Sequence, residues 1–331
     1  MVRWSARQAR MAMAAVGLLV LAAIGVGSAV GALNPGDPYA QPGRIVRLPD
    51  HRALNFRCSG RGAPTVLLEA GFGAGSNAWG KVAPRIAQVT QVCAYDRAGF
   101  GFSDPGPMPR DGAAIARDLD AGLKAARIEG PYVLVGHSAG GLYMRLFAAR
   151  RLKDVAGIVF VDSSVEHQTQ RVHALFGENG GGLEGVERRP LRCLKLASAP
   201  HVSLEDPAFQ ECAPAGDNAH ARQIALRPET WRTQISELDN LFTTTSDEVD
   251  RVGGLLQDVP AIVLTAANAD GPAGAAADPG AGAWQAFHHQ LAASFRKGDQ
   301  RLVKSSHLMM IDRPEVVAGA ALELVQAARK P

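Results

Sequence analysis

Ser138 and His307 are the residues whose types and settings suit them to nucleophilic chemistry. Ser138 lies in Gly136-His137-Ser138-Ala139-Gly140, between the apolar run Tyr132-Val-Leu-Val135 and Leu142-Tyr-Met-Arg-Leu-Phe-Ala-Ala-Arg150, whose apolar side chains recur at helical spacing. Strand, tight turn, helix is the implied order. A serine at the apex of such a turn has its hydroxyl thrust outward, and Gly136 and Gly140 leave room for strand and helix to pass closely, which makes the segment a nucleophile elbow. In a chain holding 36 glycines the pentapeptide alone carries little weight, and the flanking elements give it its meaning. Of the 9 histidines, His307 stands out because it occupies a loop at the carboxyl end of a predicted strand, Gln300-Arg-Leu-Val-Lys304, where it could take a proton from Ser138.

A serine nucleophile needs hydrogen-bond donors for the negative oxygen that forms on its substrate. The glycine-rich loop Ala70-Gly-Phe-Gly-Ala-Gly-Ser-Asn-Ala-Trp79 follows a mostly apolar strand, Pro64–Glu69. Its spacing matches neither a Walker loop nor a dinucleotide fingerprint. An oxyanion hole is the better use, with the Phe72 amide as one donor and the Ala139 amide, at the start of the elbow helix, as the other. A plain turn is the competing reading.

The elements around these residues suit such a site. Arg44–Leu48 and Ala53–Cys58 alternate apolar and polar residues about a turn and read as an antiparallel hairpin at a sheet edge. Gln91–Tyr95, Val155–Val161 and Pro260–Thr265 read as further buried strands, with helices over Lys81–Ala87, Arg110–Ile128, Trp284–Phe295 and Pro314–Arg329. Strands alternating with helices imply a parallel sheet, in which ligands gather at the carboxyl ends of the strands. Ser138, Phe72, Asp96 and Asp162 all fall at such ends. Between Ser163 and Val259 the alternation is lost, Arg188–Leu196 and Asn218–Phe242 are helical in pattern, and the segment reads as a helical lid over the strand ends. Ala266–Ala283 is an Ala/Gly/Pro/Asp loop of low complexity. Asp96 and Arg97 read as a pair bracing the loop beside the oxyanion hole, and His288 and His289 as part of a solvated helix surface.

The 331 residues suit one elaborated domain. The formal net charge of +3 is concentrated in Arg3, Arg7 and Arg10; the rest of the chain is neutral by count, so no nucleic-acid partner is expected. Those arginines precede the uncharged run Met11–Leu33, of about 23 residues, which is long enough to span a bilayer. It reads as an export segment, either a retained anchor or a signal peptide cut after a site such as Val30-Gly-Ala32, and it puts the remainder on the periplasmic or extracellular side. The 4 cysteines suit that oxidising compartment, and the pairs Cys58–Cys93 and Cys193–Cys212 are the expected bridges. No cysteine has metal-ligand spacing.

Taken in order, these residues resemble the α/β-hydrolase superfamily over about residues 44 to 330. The likeness is strongest to a branch of bacterial hydrolases with an N-terminal membrane segment, a YDRAGxGxSDPGP loop (Tyr95–Pro107), GHSxGG (Gly136–Gly141) and a Val161-Asp162 strand end. The resemblance implies an α/β fold: a mostly parallel eight-stranded sheet flanked by helices, with a helical lid. The corresponding divisions are 1–33, signal peptide or anchor; 34–43, linker; 44–162 and 260–331, the two parts of the core; and 163–259, the lid. It also implies a serine hydrolase of carboxylic esters, lactones or amides acting through an acyl-enzyme. Its triad runs serine, acid, histidine in chain order, it needs no cofactor or metal, and its partner is a small acyl substrate. No protein partner is inferable.

Two acids fit that order. Asp270 follows the strand before the last, but within the loose loop; Asp162 ends the preceding strand, at a position that some haloalkane dehalogenases of the superfamily use, and is rigidly held. Glu166 and Asp278 are further candidates. Two departures stand out: Ala70-Gly71 replaces the usual His-Gly before the oxyanion loop, and Ser306 replaces the glycine usual before the histidine. Competing readings are C–C bond hydrolysis or lyase chemistry at the same elbow, and a membrane-tethered binding protein without catalysis.

Overall fold

The computed structural model describes residues 41–177, 186–213, 219–267 and 279–330. The strands are β1 (Arg44–Arg47), β2 (Ala53–Ser59), β3 (Thr65–Glu69), β4 (Val92–Tyr95), β5 (Tyr132–His137), β6 (Val155–Val161), β7 (Ala261–Ala267) and β8 (Gly298–Lys304). They form one 8-stranded sheet in the order β1-β2-β4-β3-β5-β6-β7-β8. The hairpin β1–β2 sits at one edge and β2 meets β4 antiparallel, whereas every pairing from β4 through β8 is parallel. β3, β4 and β5 are buried along their whole length, which is why they read as continuous apolar runs.

Successive side chains of a strand point to opposite faces, and the two faces carry separate cores. Leu67, Leu134, Ile158 and Phe160 pack under α2 (Gly112–Ala126), α3 (Ala139–Arg150) and α9 (Pro279–Ala293) through Ile115, Leu119, Leu142, Phe147, Phe287 and Leu291. Val66, Leu68, Val133, Val135, Val159 and Val161 pack against α1 (Ala83–Ile86), α10 (Met309–Asp312) and α11 (Pro314–Arg329) through Ile86, Met309, Val317, Ala321 and Val325. At the far edge, β8 shields itself with charge: Arg301 forms ion pairs with Asp299 and Glu323.

Between β6 and β7 lie α4 (Gln168–Phe176), α5 (Arg188–Ala197), α6 (Ala219–Ala225), α7 (Pro228–Leu241) and α8 (Thr244–Gly253). The segment is helical as expected, yet its parts have different attachments. Cys193, Ala197, Phe209, Cys212, Ala225 and Trp231 form a small cluster of their own. Leu238, Leu241 and Val249, by contrast, join the main core. Thr245 Oγ1 and Glu248 accept hydrogen bonds from the amides of Gly112 and Ala113, so α8 caps the first turn of α2. Both expected disulfides are present: Cys58–Cys93 joins directly paired residues of β2 and β4, and Cys193–Cys212 staples the small cluster.

The helix read as Trp284–Phe295 begins earlier, at Pro279. Alanine and glycine carry no amphipathic pattern that would reveal its first turn. No helix among the described residues is long and apolar enough to cross a membrane, and residues 11–33 lie outside them.

Candidate active site

β5 ends in the elbow. Ser138 adopts φ 51° and ψ −125°, a left-handed conformation that costs a non-glycine residue of order 1–3 kcal/mol and persists only where neighbours enforce it. They do: Ser138 N–H donates to Val161 O at 3.2 Å, while Ser138 O accepts from Gly141 N at 3.0 Å and Ser164 N at 3.0 Å. The two glycines are needed for close approach. A Cβ on Gly136 would lie 2.6 Å from Gly140 O, and one on Gly140 would lie 2.5 Å from Glu69 O. Ser138 and Ala139 are buried, with Ala139 opening α3.

Asp162, directly after β6, is fully buried and also has positive φ, 41°. One carboxylate oxygen, Oδ2, accepts from His307 Nδ1 at 2.6 Å; the other accepts from Ala266 N at 2.9 Å and Trp284 Nε1 at 2.8 Å. Burial alone would push this carboxyl up. The hydrogen bond and charge of His307 outweigh it and hold Asp162 down to about 2. With Nδ1–H committed to Asp162, the lone pair of neutral His307 is on Nε2, the arrangement a general base requires. The sequence candidates thus separate: Asp162 meets His307, whereas Asp270 and Asp278 lie outside the described residues. Glu166 is engaged elsewhere, with Arg145 at 2.6 Å.

Two buried histidines flank this pair, His288, which sequence reasoning misjudged, and His137, to which it gave no role. His288 was expected on a solvated surface, but it is fully buried. Trp284, His288 and Leu291 recur at i, i+4 and i+7, the stripe that α9 turns toward the sheet and that Phe295 continues just past its end, and that spacing was the signal available. His288 Nε2–H donates to Ser163 O at 2.8 Å and Nδ1 pairs with Thr265 Oγ1 at 2.8 Å, so burial is matched by satisfied hydrogen bonds. Burial lowers its pKa despite the nearby Asp162 charge. His289 is exposed, as expected. His137, just before the serine, donates from Nε2 to His307 O at 2.9 Å and holds its ring 4.6 Å from the His307 ring, centroid to centroid. Burial first, then the neighbouring His307, lowers His137 to about 3, so it is a neutral tether between elbow and histidine loop. Ser306 fills its departure from the family pattern by bonding, through its amide at 3.0 Å, to Asp312 Oδ2.

The glycine loop lies against the serine: a Cβ on Gly71 would be 3.0 Å from Ser138 Cβ and 2.9 Å from His137 Nδ1. Among the described residues, neither the Phe72 nor the Ala139 amide donates to another group. Asp96 braces the loop's far end, accepting from Ser76 N at 2.7 Å, Asn55 Nδ2 at 2.8 Å and Phe102 N at 3.0 Å. Arg97 braces the near end, where the family's histidine is absent, by donating to Ala70 O at 2.8 Å and Gly71 O at 2.9 Å. It is buried between Glu69 at 2.8 Å and Glu237 at 2.9 Å. Burial pushes Glu69 up to about 7 although Arg97 and Tyr95 oppose the shift. Among the described residues no group of three or more His, Cys, Asp or Glu side chains could hold a metal ion.

A mostly parallel sheet with helices on both faces and a strained serine between β5 and α3 defines an α/β-hydrolase fold. Residues 64–183 match the family model described as alpha/beta hydrolase fold. RutD of Klebsiella pneumoniae, a candidate carbamate hydrolase, is 34% identical over 201 residues, covering 57% of this chain and 75% of that protein. The chain therefore belongs to the α/β-hydrolase family. An uncharacterized protein of Schizosaccharomyces pombe is 45% identical over 82 residues, which are 25% of this chain and only 15% of that longer protein. Among solved structures, a thermophilic esterase from Thermogutta terrifontis superimposes with a TM-score of 0.59 at 20% identity, covering 88% of this chain and all of that one. At that identity the likeness is one of fold.

Proposed function

We propose that the protein hydrolyses a carboxylic ester through Ser138, His307 and Asp162 by way of an acyl-enzyme. The observation that carries this reading is the 2.6 Å bond between His307 and a buried Asp162, at the same sheet rim as the strained Ser138. Ser138 Oγ attacks the carbonyl carbon while His307 Nε2 takes its proton, and Asp162 stabilises the imidazolium so formed. The Phe72 and Ala139 amides hold the oxyanion, a contribution of about 3 kcal/mol for each donor. The tetrahedral intermediate collapses as His307 returns the proton to the leaving alcohol. Water, activated by the same nitrogen, then releases the acid and restores the serine.

We further propose that the catalytic chain lies outside the cytoplasm, tethered or led there by residues 11–33. The two disulfides support that compartment.

Fluorophosphonate labelling with mass mapping, together with turnover of short p-nitrophenyl esters, tests the proposal. Wild type should be labelled on Ser138 and turn over ester, and Ser138→Ala should do neither. Labelling at another residue, or ester turnover that survives Ser138→Ala, would overturn it.

A further inference from the structure

Arg97 uses all its donor capacity. A guanidinium has five N–H bonds, and here Nε donates to Glu237 Oε2 at 3.3 Å and Nη2 to Glu237 Oε1 at 2.9 Å and Gly71 O at 2.9 Å. Nη1 donates to Glu69 Oε1 at 2.8 Å and Ala70 O at 2.8 Å. Tyr95 donates to the second oxygen of Glu69, and Tyr143 to Glu237 Oε1 at 3.1 Å. The guanidinium also lies over the rings of Phe100 and Tyr143. Every member of this cluster is buried.

Stability alone is a poor reason for such a cluster. Two carboxylates around one guanidinium must all be stripped of water, and buried ion pairs of this kind are often no more stable than apolar packing of equal volume. Its geometry has a more specific consequence. The peptide joining Gly71 to Phe72 is planar, so its C=O and N–H point in opposite directions. Arg97 pins the C=O, which aims the Phe72 N–H to the side away from Arg97, and Gly71 itself abuts Ser138 Cβ. Glu237, which accepts from Nε and Nη2 along one edge of the guanidinium, does not belong to the loop or the sheet. It is carried by α7, within the helical segment inserted between β6 and β7.

We infer that Arg97 is the positioning residue of the oxyanion hole and that Glu237 makes its placement depend on the seating of α7, so that the inserted helices help assemble the hole as well as cover it. The inference rests on the esterase reading above. Arg97 touches no substrate; it acts through the Gly71–Phe72 peptide. With Glu237 displaced, the guanidinium keeps only Glu69 as a charged anchor and its Nη2 edge is free to turn from Gly71 O. Gly71 O is then left with only the longer bond from Ala74 N, at 3.3 Å, so the peptide can rotate, and one oxyanion donor is lost while Ser138, His307 and Asp162 stay in place.

The test uses the full chain, with ester turnover expressed per active site counted by end-point fluorophosphonate labelling. A trifluoromethyl ketone serves as a second probe, since its serine adduct carries an oxyanion. For Arg97→Lys, kcat per labelled site should fall about 100-fold, the usual effect of removing one such donor. KM should change little, and ketone affinity should weaken in parallel with kcat. Glu237→Gln, nearly isosteric and less disruptive to folding, should show the same pattern to a smaller degree. A purely structural role would lower the yield of labelled sites or the melting temperature and leave both site-normalised quantities unchanged; that result would overturn the inference. Failure of wild type to label at Ser138 would instead sink the esterase reading, and this inference with it.

Discussion

Replacing Asp162 by asparagine should disable the histidine without disturbing the fold, because the geometry dictates how the amide must sit. Asp162 Oδ1 accepts two hydrogen bonds, from Ala266 N at 2.9 Å and Trp284 Nε1 at 2.8 Å, so the amide oxygen of asparagine must occupy that position. Its NH2 then faces His307 Nδ1, where the carboxylate had accepted at 2.6 Å. Two donors cannot share that contact, so His307 must present a lone pair at Nδ1 and carry its proton on Nε2. The nitrogen meant to act as base is then already protonated. In the serine-protease triad this tautomer inversion costs about 10⁴ in kcat, equivalent to about 5.5 kcal/mol of barrier. The assay is kcat for a p-nitrophenyl ester at neutral pH, with circular dichroism and melting temperature as controls for folding. A folded Asp162→Asn protein retaining more than a tenth of wild-type kcat would refute the reasoning and transfer the orienting role to another acid, with Asp270 the first to test by the same substitution.

Three further outcomes follow from the same structure. Gly140→Ala places a methyl 2.5 Å from Glu69 O, a backbone atom that cannot yield cheaply, so the variant should lose both soluble expression and labelling, as measured by gel and probe. Stability should fall steeply on acidification. His137, held neutral down to about 3, and Asp162, held ionised to about 2, have depressed pKa values in the fold, so their contributions are present above the unfolded values and are lost as pH falls. Glu69, raised to about 7, acts in the opposite sense: its contribution is present below its usual value of 4.5 and declines as pH rises through 7. With His288 lowered as well, the two histidines outweigh Glu69, so urea midpoints should begin to fall as pH drops below about 6.5 and fall fastest below 4.5, where Glu69 no longer opposes the loss. Cys193→Ser should lower the melting temperature, since closing a loop with a sequence separation of 19 contributes about 3 kcal/mol in the chain-entropy picture.

Much of the architecture was legible because parallel strands covered on both faces must be apolar throughout and must stop where the chain turns. β3, β5 and β6 each present such a run, and the glycines around Ser138 mark a place where strand and helix pass at contact distance. The terminal helix was legible to the residue, with proline in its first turn and Arg329 at its end. Rigidity favoured Asp162 over Asp270 in the sequence; Asp162 lies 2.6 Å from His307 Nδ1, and Asp270 lies outside the described residues. His288 stands on a stripe whose spacing was readable, but the partners that let a polar residue be buried there lie 23 and 125 positions away, and without them it was misread as solvated. The Arg97 cluster was legible only as a local brace. Its other half, Glu237, is 140 residues distant on a helix whose own periodicity says nothing of the oxyanion loop. Groups that meet only through tertiary structure leave no local pattern.

The most direct measurement is a crystal structure of the protein after reaction with a fluorophosphonate, in which the phosphonyl oxygen stands in for the oxyanion. The account predicts a covalent bond to Ser138 Oγ, with that oxygen about 2.7–3.1 Å from both the Phe72 and Ala139 amide nitrogens and His307 still bonded to Asp162. A phosphonyl oxygen turned away from both amides, or phosphorus bonded to any other residue, would contradict it.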